Sequence, residues 1–183
     1  MSKPKLLLHT CCAPCAGYVV QLLQKEYDIT GYFYNPNIHP ETEYQRRLAE
    51  EKKYFNKLCL ELIEADDDKE RWFSLVKGHE HDPERGERCL ICYRMRLEQA
   101  CRFGKENGFA VFTTTLSLSP HKDAAKINRI GRELGQQLDI RFLEADFKKR
   151  DGFKKSLEIS QAEGFYRQHY CGCVFSQKHL IVV

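Results

Sequence analysis

The sequence predicts an α/β fold: a three-layer sandwich on a five-stranded, mainly parallel sheet, with a helical C-terminal extension. Two observations carry this. Short apolar or β-branched runs alternate with longer amphipathic stretches, and those stretches are long enough for right-handed crossovers. A length of 183 residues then favours one domain over 1–183, with an α/β core over roughly 1–145 and a helical segment over 146–183.

Each element has its own signal. Lys5 to His9 reads as a short buried strand, ended by Thr10 and a cysteine-rich turn. Pro14 suits a first helical turn, and Val19, Val20, Leu22 and Leu23 give that helix an apolar side. Ile29 to Tyr34 is a second strand, stopped by the turn chemistry of Asn35 to Pro40. A long charged helix starts near Glu41 and buries Tyr44, Leu48, Phe55 and Leu58 on one stripe. Leu60 to Ile63 is a third strand, closed by Asp66, Asp67 and Asp68, and Gly78 to Arg88 reads as a polar surface loop. Cys89 to Lys105 is helical, with Leu90, Tyr93, Leu97 and Cys101 on one face and Gly108 beyond its end. Phe109 to Thr115 is the fourth strand, Asp123 to Leu138 a helix, and Ile140 to Leu143 the fifth strand; the tail from Asp146 is helical and basic. Parallel sheets hold ligands at the carboxyl ends of their strands, so His9–Cys15, Asn35–Pro40 and Thr113–Asp123 should converge on one edge.

Composition removes several classes. Charged residues make up 30% and hydrophobic residues 42%, with 29 Lys+Arg against 26 Asp+Glu, which excludes a disordered or collagen-like chain. Apolar runs such as Leu6–Leu8 fall far below the about 20 residues of a membrane span, so no membrane partner is expected. Met1 to Lys5 has no apolar run of the signal-peptide kind behind it and reads as cytoplasmic. The first turn lacks a Gly-rich phosphate cradle, and no Gly-x-Gly-x-x-Gly occurs, so neither a nucleotide-dependent ligase nor an NAD-binding dehydrogenase is supported. Electrons for any redox step must come from an external donor.

The nine cysteines are the anomaly. In a reducing compartment such clusters bind metal or carry redox chemistry. Cys11, Cys12 and Cys15 lie in the turn after the first strand, where a helix start favours thiolate. Cys89 and Cys92 form a Cys-x-x-Cys at a second helix start. Cys11, Cys12, Cys89 and Cys92 thus offer four thiolates, the complement of a [4Fe-4S] cluster or of structural zinc. Cys59 and Cys101 read instead as small buried hydrophobes. A bridge between Cys171 and Cys173 would span a single residue, a strained and easily reduced arrangement suited to two-electron transfer, with Gly172 easing the backbone. The alternative is two more ligands for the same metal. Lys148, Lys149, Arg150, Lys154 and Lys155 surround Asp151 and would attract a phosphate backbone, although such runs are also ordinary solvated faces. Tyr166, His169 and Tyr170 lie nearby and suit either base stacking or core filling.

Five segments in order resemble the QueH-type epoxyqueuosine reductases: Leu8 to Cys15, Tyr34 to Pro40, Glu87 to Arg94, Thr114 to Asp123, and Tyr166 with Tyr170 to Cys173. They span nearly the whole chain. The resemblance implies an adenine nucleotide alpha hydrolase-like, Rossmann-like fold whose nucleotide loop is replaced by the cysteine turn. It implies the last step of queuosine synthesis, in which epoxyqueuosine at the wobble position of tRNA loses its epoxide oxygen as water, without cobalamin. By position, Cys11, Cys12, Cys89 and Cys92 would hold the [4Fe-4S] cluster, and Cys171 and Cys173 would be the redox pair. A second, mononuclear iron or other divalent metal is also implied near the cluster, with Cys15 its expected ligand. His9, His39, His121 and Asp123 are candidates for donating the proton or orienting substrate, and Lys122 for meeting phosphate. Two rivals remain open from the residues alone: a zinc-stabilised RNA-binding module, and a thiol–disulfide oxidoreductase acting on protein.

Overall fold

Leu6, Leu7 and Leu8 are all fully buried, which requires a strand covered on both faces. They lie in β1 (Lys5–Thr10), the middle of a five-stranded sheet. β2 (Asp28–Phe33), β3 (Glu61–Glu64), β4 (Val111–Thr114) and β5 (Arg141–Phe142) complete it in the order β3-β2-β1-β4-β5, every pair parallel. The structure, a computed structural model, describes residues 2–65 and 68–177; the expected turn at Asp66 and Asp67 lies outside the described residues.

Alternation along β1 sorts the two faces. Leu6 and Leu8 pack with Val19 and Val20 of α1 (Ala13–Leu23), Tyr54 and Phe55 of α2 (Glu41–Lys57), and Phe147. Leu7 points the other way, into a cluster with Trp72 of α3 (Lys69–Leu75), Leu97 and Cys101 of α4 (Glu87–Glu106), and Ile127 and Ile130 of α5 (Ala124–Leu138). α6 (Gly152–Glu163) lies along α1. The three-layer sandwich is therefore present, with a sheet wholly parallel. Gly31 marks one close approach: a Cβ there would sit 2.5 Å from the side chains of Leu62 and Phe55.

The chain leaves β1 and β4 to opposite faces, which opens a crevice at their carboxyl ends. The register pairs Thr10 with Phe33 and His9 with Thr114, so the segments after β1, β2 and β4 meet there as expected. Several details differ from expectation. β4 ends at Thr114 because Thr115–Leu118 winds into a 3-10 turn, with the Thr114 side chain accepting from the Leu116 amide. β5 holds just two residues. Leu22 is exposed and Leu58 half-buried, while Tyr54 takes the inward position. Cys59 is exposed, at φ 54° in the α2–β3 turn, and is no core hydrophobe; Cys101 is, at 0% exposure. Cys171 and Cys173 fall in irregular chain between α6 and the single turn α7 (Val174–Gln177), not on a helix.

Candidate active site

The turn after β1 folds back on itself. Cys12 caps α1 with extended backbone, and its carbonyl accepts from the amides of Cys15 and Ala16. This brings the Sγ atoms of Cys11, Cys12 and Cys15 within 4.8 Å of one another, the one such group of potential ligands among the described residues. Cys11 Sγ lies 3.9 Å from Cys12 Sγ and 3.9 Å from Thr115 Oγ1. The hydrogen bond from the Cys12 thiol holds Cys11 well below the usual thiol range. The same bond pushes Cys12 up, and the contact with Cys11 pushes Cys15 to about 12. Ionising one of these sulfurs thus opposes ionising its neighbours, and a bound cation would relieve that opposition. The donor set fits a thiophilic metal.

A cavity of about 610 Å³ is lined by Cys89, Cys92, Cys171, Cys173, Arg96 and Lys122 among others. Cys11, Cys12 and Cys15 are not in its lining, but Gln168, which is, reaches Cys12 Sγ at 3.0 Å. Cys89, Cys92 and Arg96 stand at i, i+3 and i+7 on the first turns of α4, so one helix face delivers them together. Burial raises both thiols. The segment carrying Cys171 and Cys173 is strapped down by side chains. Arg47, paired with Glu43 at 2.7 Å, donates to the carbonyls of Tyr170 (3.1 Å) and Cys171 (3.3 Å). The His39 amide donates to Gly172 O at 2.8 Å. Gly172 has φ 101°, and a Cβ would stand 2.8 Å from Ile38 Cγ1, so the turn requires glycine. Cys171 and Cys173 are free thiols here; the Cys173 hydrogen bond holds Cys171 low, and Cys173 is raised in return. Lys122 bridges the two sulfur groups electrostatically. Burial opposes its charge, yet the sulfurs of Cys11, Cys171 and Cys15 keep its ammonium above the usual lysine range.

The four candidate proton donors separate cleanly. His9 is fully buried, with Nδ1 2.8 Å from Thr114 Oγ1 and Nε2 3.1 Å from Tyr34 O. A carbonyl can only accept, so the ring proton sits on Nε2; burial lowers the pKa to about 3 and the ring stays neutral. Asp123 accepts from the amides of Ala125 and Lys126 as the N-cap of α5. His39 stacks among Trp72 and Phe73, at 5.6 and 4.9 Å between ring centres. His121 is exposed and lines the cavity rim, with its carbonyl held by Arg85 at 3.0 Å.

Sequence reasoning missed Trp72, Arg88, Arg96, Glu51 and Gln168. Arg96 is 2% exposed and donates to Asn35 Oδ1 at 2.5 Å, while Asn35 Nδ2 reaches Thr10 O at 2.9 Å. Arg88 folds the supposed surface loop inward by donating to the carbonyls of His79 and Glu80 at 3.0 and 2.9 Å. Glu51 is fully buried on α2, with neither oxygen in a hydrogen bond of normal geometry; burial, seconded by the Cys11 thiolate, pushes it well above the carboxylate range. A charged residue on the inward stripe of a helix, as Glu51 and Arg96 are, was the available signal. Lys149, Arg150, Lys154 and Lys155 are exposed, whereas Lys148 turns inward to the carbonyls of Ser117 and Lys122. Tyr166 lies under the Arg46 guanidinium, 3.3 Å from its ring centre.

Sheet order and first turn define the class: a parallel α/β sandwich of adenine nucleotide alpha hydrolase-like fold whose first turn carries three cysteines. The same fold appears in the U34-tRNA thiolase NcsA from Methanococcus maripaludis with its [4Fe-4S] cluster, at TM-score 0.62 and 11% identity, over 96% of this chain and 62% of that one. Residues 6–179 match the family described as epoxyqueuosine reductase QueH, and the chain belongs to that family. Epoxyqueuosine reductase QueH of Histophilus somni (strain 129Pt) is 45% identical over 174 residues, covering 94% of this chain and 72% of that protein. The Streptococcus pyogenes serotype M1 enzyme is 37% identical over 182 residues, covering 96% and 71%. No helix of the described residues is long and apolar enough to cross a membrane.

Proposed function

We propose that this chain reduces epoxyqueuosine to queuosine at the wobble position of tRNA. The balance is one epoxide, two electrons and two protons giving one alkene and one water, with the electrons from an external reductant. The carrying observation is that Cys11, Cys12 and Cys15 gather within 4.8 Å beside a cavity that holds four further cysteines. Cys11, Cys12, Cys89 and Cys92 are the proposed ligands of a [4Fe-4S] cluster, and Cys15 of a second metal. Bound there, such a centre would supply electrons and a Lewis acid for the epoxide oxygen.

The chain's own residues do the rest. A cavity of about 610 Å³ lies within the range of small-molecule sites, and a nucleoside fits that class. His121, alone of the four candidate proton donors in lining it, delivers the proton to the departing oxygen. Lys122 steadies negative charge between the sulfur groups, and Cys171 with Cys173 passes electrons inward as a reversible dithiol. The exposed cations Lys149, Arg150, Lys154 and Lys155 meet the tRNA backbone.

Anaerobic reconstitution followed by incubation with epoxyqueuosine-containing tRNA and a strong reductant tests the reading. Iron and sulfide in the protein and queuosine in the nucleoside digest are expected. A protein that loads zinc alone, or an unchanged epoxide beside an intact cluster, would overturn it.

A further inference from the structure

Gln168 sits in irregular chain between α6 and Cys171, yet its backbone is fixed on both sides. Two residues before it, the Tyr166 amide donates to Glu50 Oε1 at 2.6 Å and the Tyr166 hydroxyl to Glu43 Oε2 at 3.1 Å. Two residues after it, Arg47 holds the Tyr170 carbonyl. The side chain therefore arrives pre-placed, and its Nε2 stands 3.0 Å from Cys12 Sγ. The amide orientation follows from chemistry: the opposite one would face a carbonyl oxygen against sulfur lone pairs. Cys12 itself is 1% exposed, so water does not substitute for this donor.

We infer that Gln168 is a positioning residue whose N–H···S hydrogen bond to Cys12 raises the reduction potential of the metal centre that Cys12 helps to hold. The inference rests on the proposed function, in which Cys12 is a ligand. Reduction adds negative charge to the centre and its sulfurs, and a fixed donor stabilises the more negative state. The donor is a neutral amide, so its effect does not vanish with pH as a lysine's would. It also comes from the segment that carries Cys171 and Cys173, so docking of that segment and poise of the centre are one event.

Spectroelectrochemical titration of reconstituted wild type, Gln168→Leu and Gln168→Lys tests this. Gln168→Leu should load the same iron and sulfide but titrate at lower potential. A tenfold fall in the reduced-to-oxidised ratio at fixed applied potential corresponds to 59 mV for one electron. Gln168→Lys keeps a donor and should remain near or above wild type. An independent readout needs no variant to fold: reduced wild type carrying side-chain ¹⁵N-glutamine should show a weak ¹⁵N coupling by electron–nuclear double resonance. An unmoved potential in Gln168→Leu at normal metal content, or no ¹⁵N coupling, overturns the inference alone. A wild type that takes up no iron overturns the underlying functional reading as well.

Discussion

Two cavities of nearly equal volume, about 610 and 620 Å³, lie at opposite ends of the sheet. The second sits at the amino ends of β4 and β5, and its charges are answered within the protein. Lys105 pairs with Asp139 at 2.8 Å, Arg132 with Glu144 at 3.0 Å, and Arg141 donates to Tyr27 Oη at 2.8 Å. At the cysteine-lined mouth, Asn37 Oδ1, Arg88 Nε and Gln168 Oε1 are buried without a hydrogen bond of normal geometry, while Trp72 and Arg96 turn toward the Cys92 sulfur. Leaving one such group unmade costs about 1–3 kcal/mol. Natural folds tolerate that where something else is meant to bind. Volume does not distinguish the two places; unanswered polar atoms and thiols do.

The largest expected effect separates them outright. Cys89→Ala should abolish iron–sulfur loading and epoxide reduction together, whereas Cys59→Ala, at an exposed turn away from the mouth, should leave both intact; iron analysis and nucleoside mass spectrometry decide. Next, His121→Ala should lower kcat by about 10²-fold or more with iron content unchanged, as loss of a general acid does. Lys105→Ala in the other cavity should leave kcat alone, and a matching loss there would erase the contrast. A smaller effect comes from the rim. Lys149→Ala should weaken tRNA binding and reduce the slope of log affinity against log salt by about 1, measured by titration at several salt concentrations.

The smallest effect is on stability. Burial pushes the Glu51 carboxyl well above the usual carboxylate range in the fold, while its unfolded-state counterpart ionises near the usual value. Unfolding therefore releases a proton above that value, and stability falls as pH rises toward the folded-state pKa. Glu51→Gln removes this penalty, so its Tm advantage over wild type should widen from pH 5 to pH 8. About 2–4 °C accompanies each kcal/mol relieved in a chain of this size. A gap that narrows instead would show that Glu51 is ionised in the fold.

Much of this contrast was legible in the sequence, and the illegible parts share a cause. β1, β2 and α5 announce themselves through local patterns: an apolar run, a β-branched run before a Pro-rich turn, and the Asp123 cap before a periodic helix. The cysteine turn and Cys89–Cys92 were equally visible, because spacing alone suggests shared chemistry. α3 was not, since its seven residues bury just Trp72 and show no period. The inward fold of the loop before α4 depends on Arg88 reaching backbone carbonyls, and Arg47 reaches Tyr170 across the whole fold. Such tertiary hydrogen bonds leave no periodic trace. Cys59 is exposed because it occupies a positive-φ position of the α2–β3 turn, which no pattern of apolar residues announces.

Cys12 meets Gln168 of the sulfur-lined mouth, so a ribosome must release almost everything between residues 12 and 168 before that contact exists. While synthesis proceeds, Cys11, Cys12 and Cys15 can form their turn, but the α4 pair and the Arg47-strapped segment arrive in later instalments. A metal held by both groups of cysteines would therefore enter after folding, on the finished surface and not on the nascent strand.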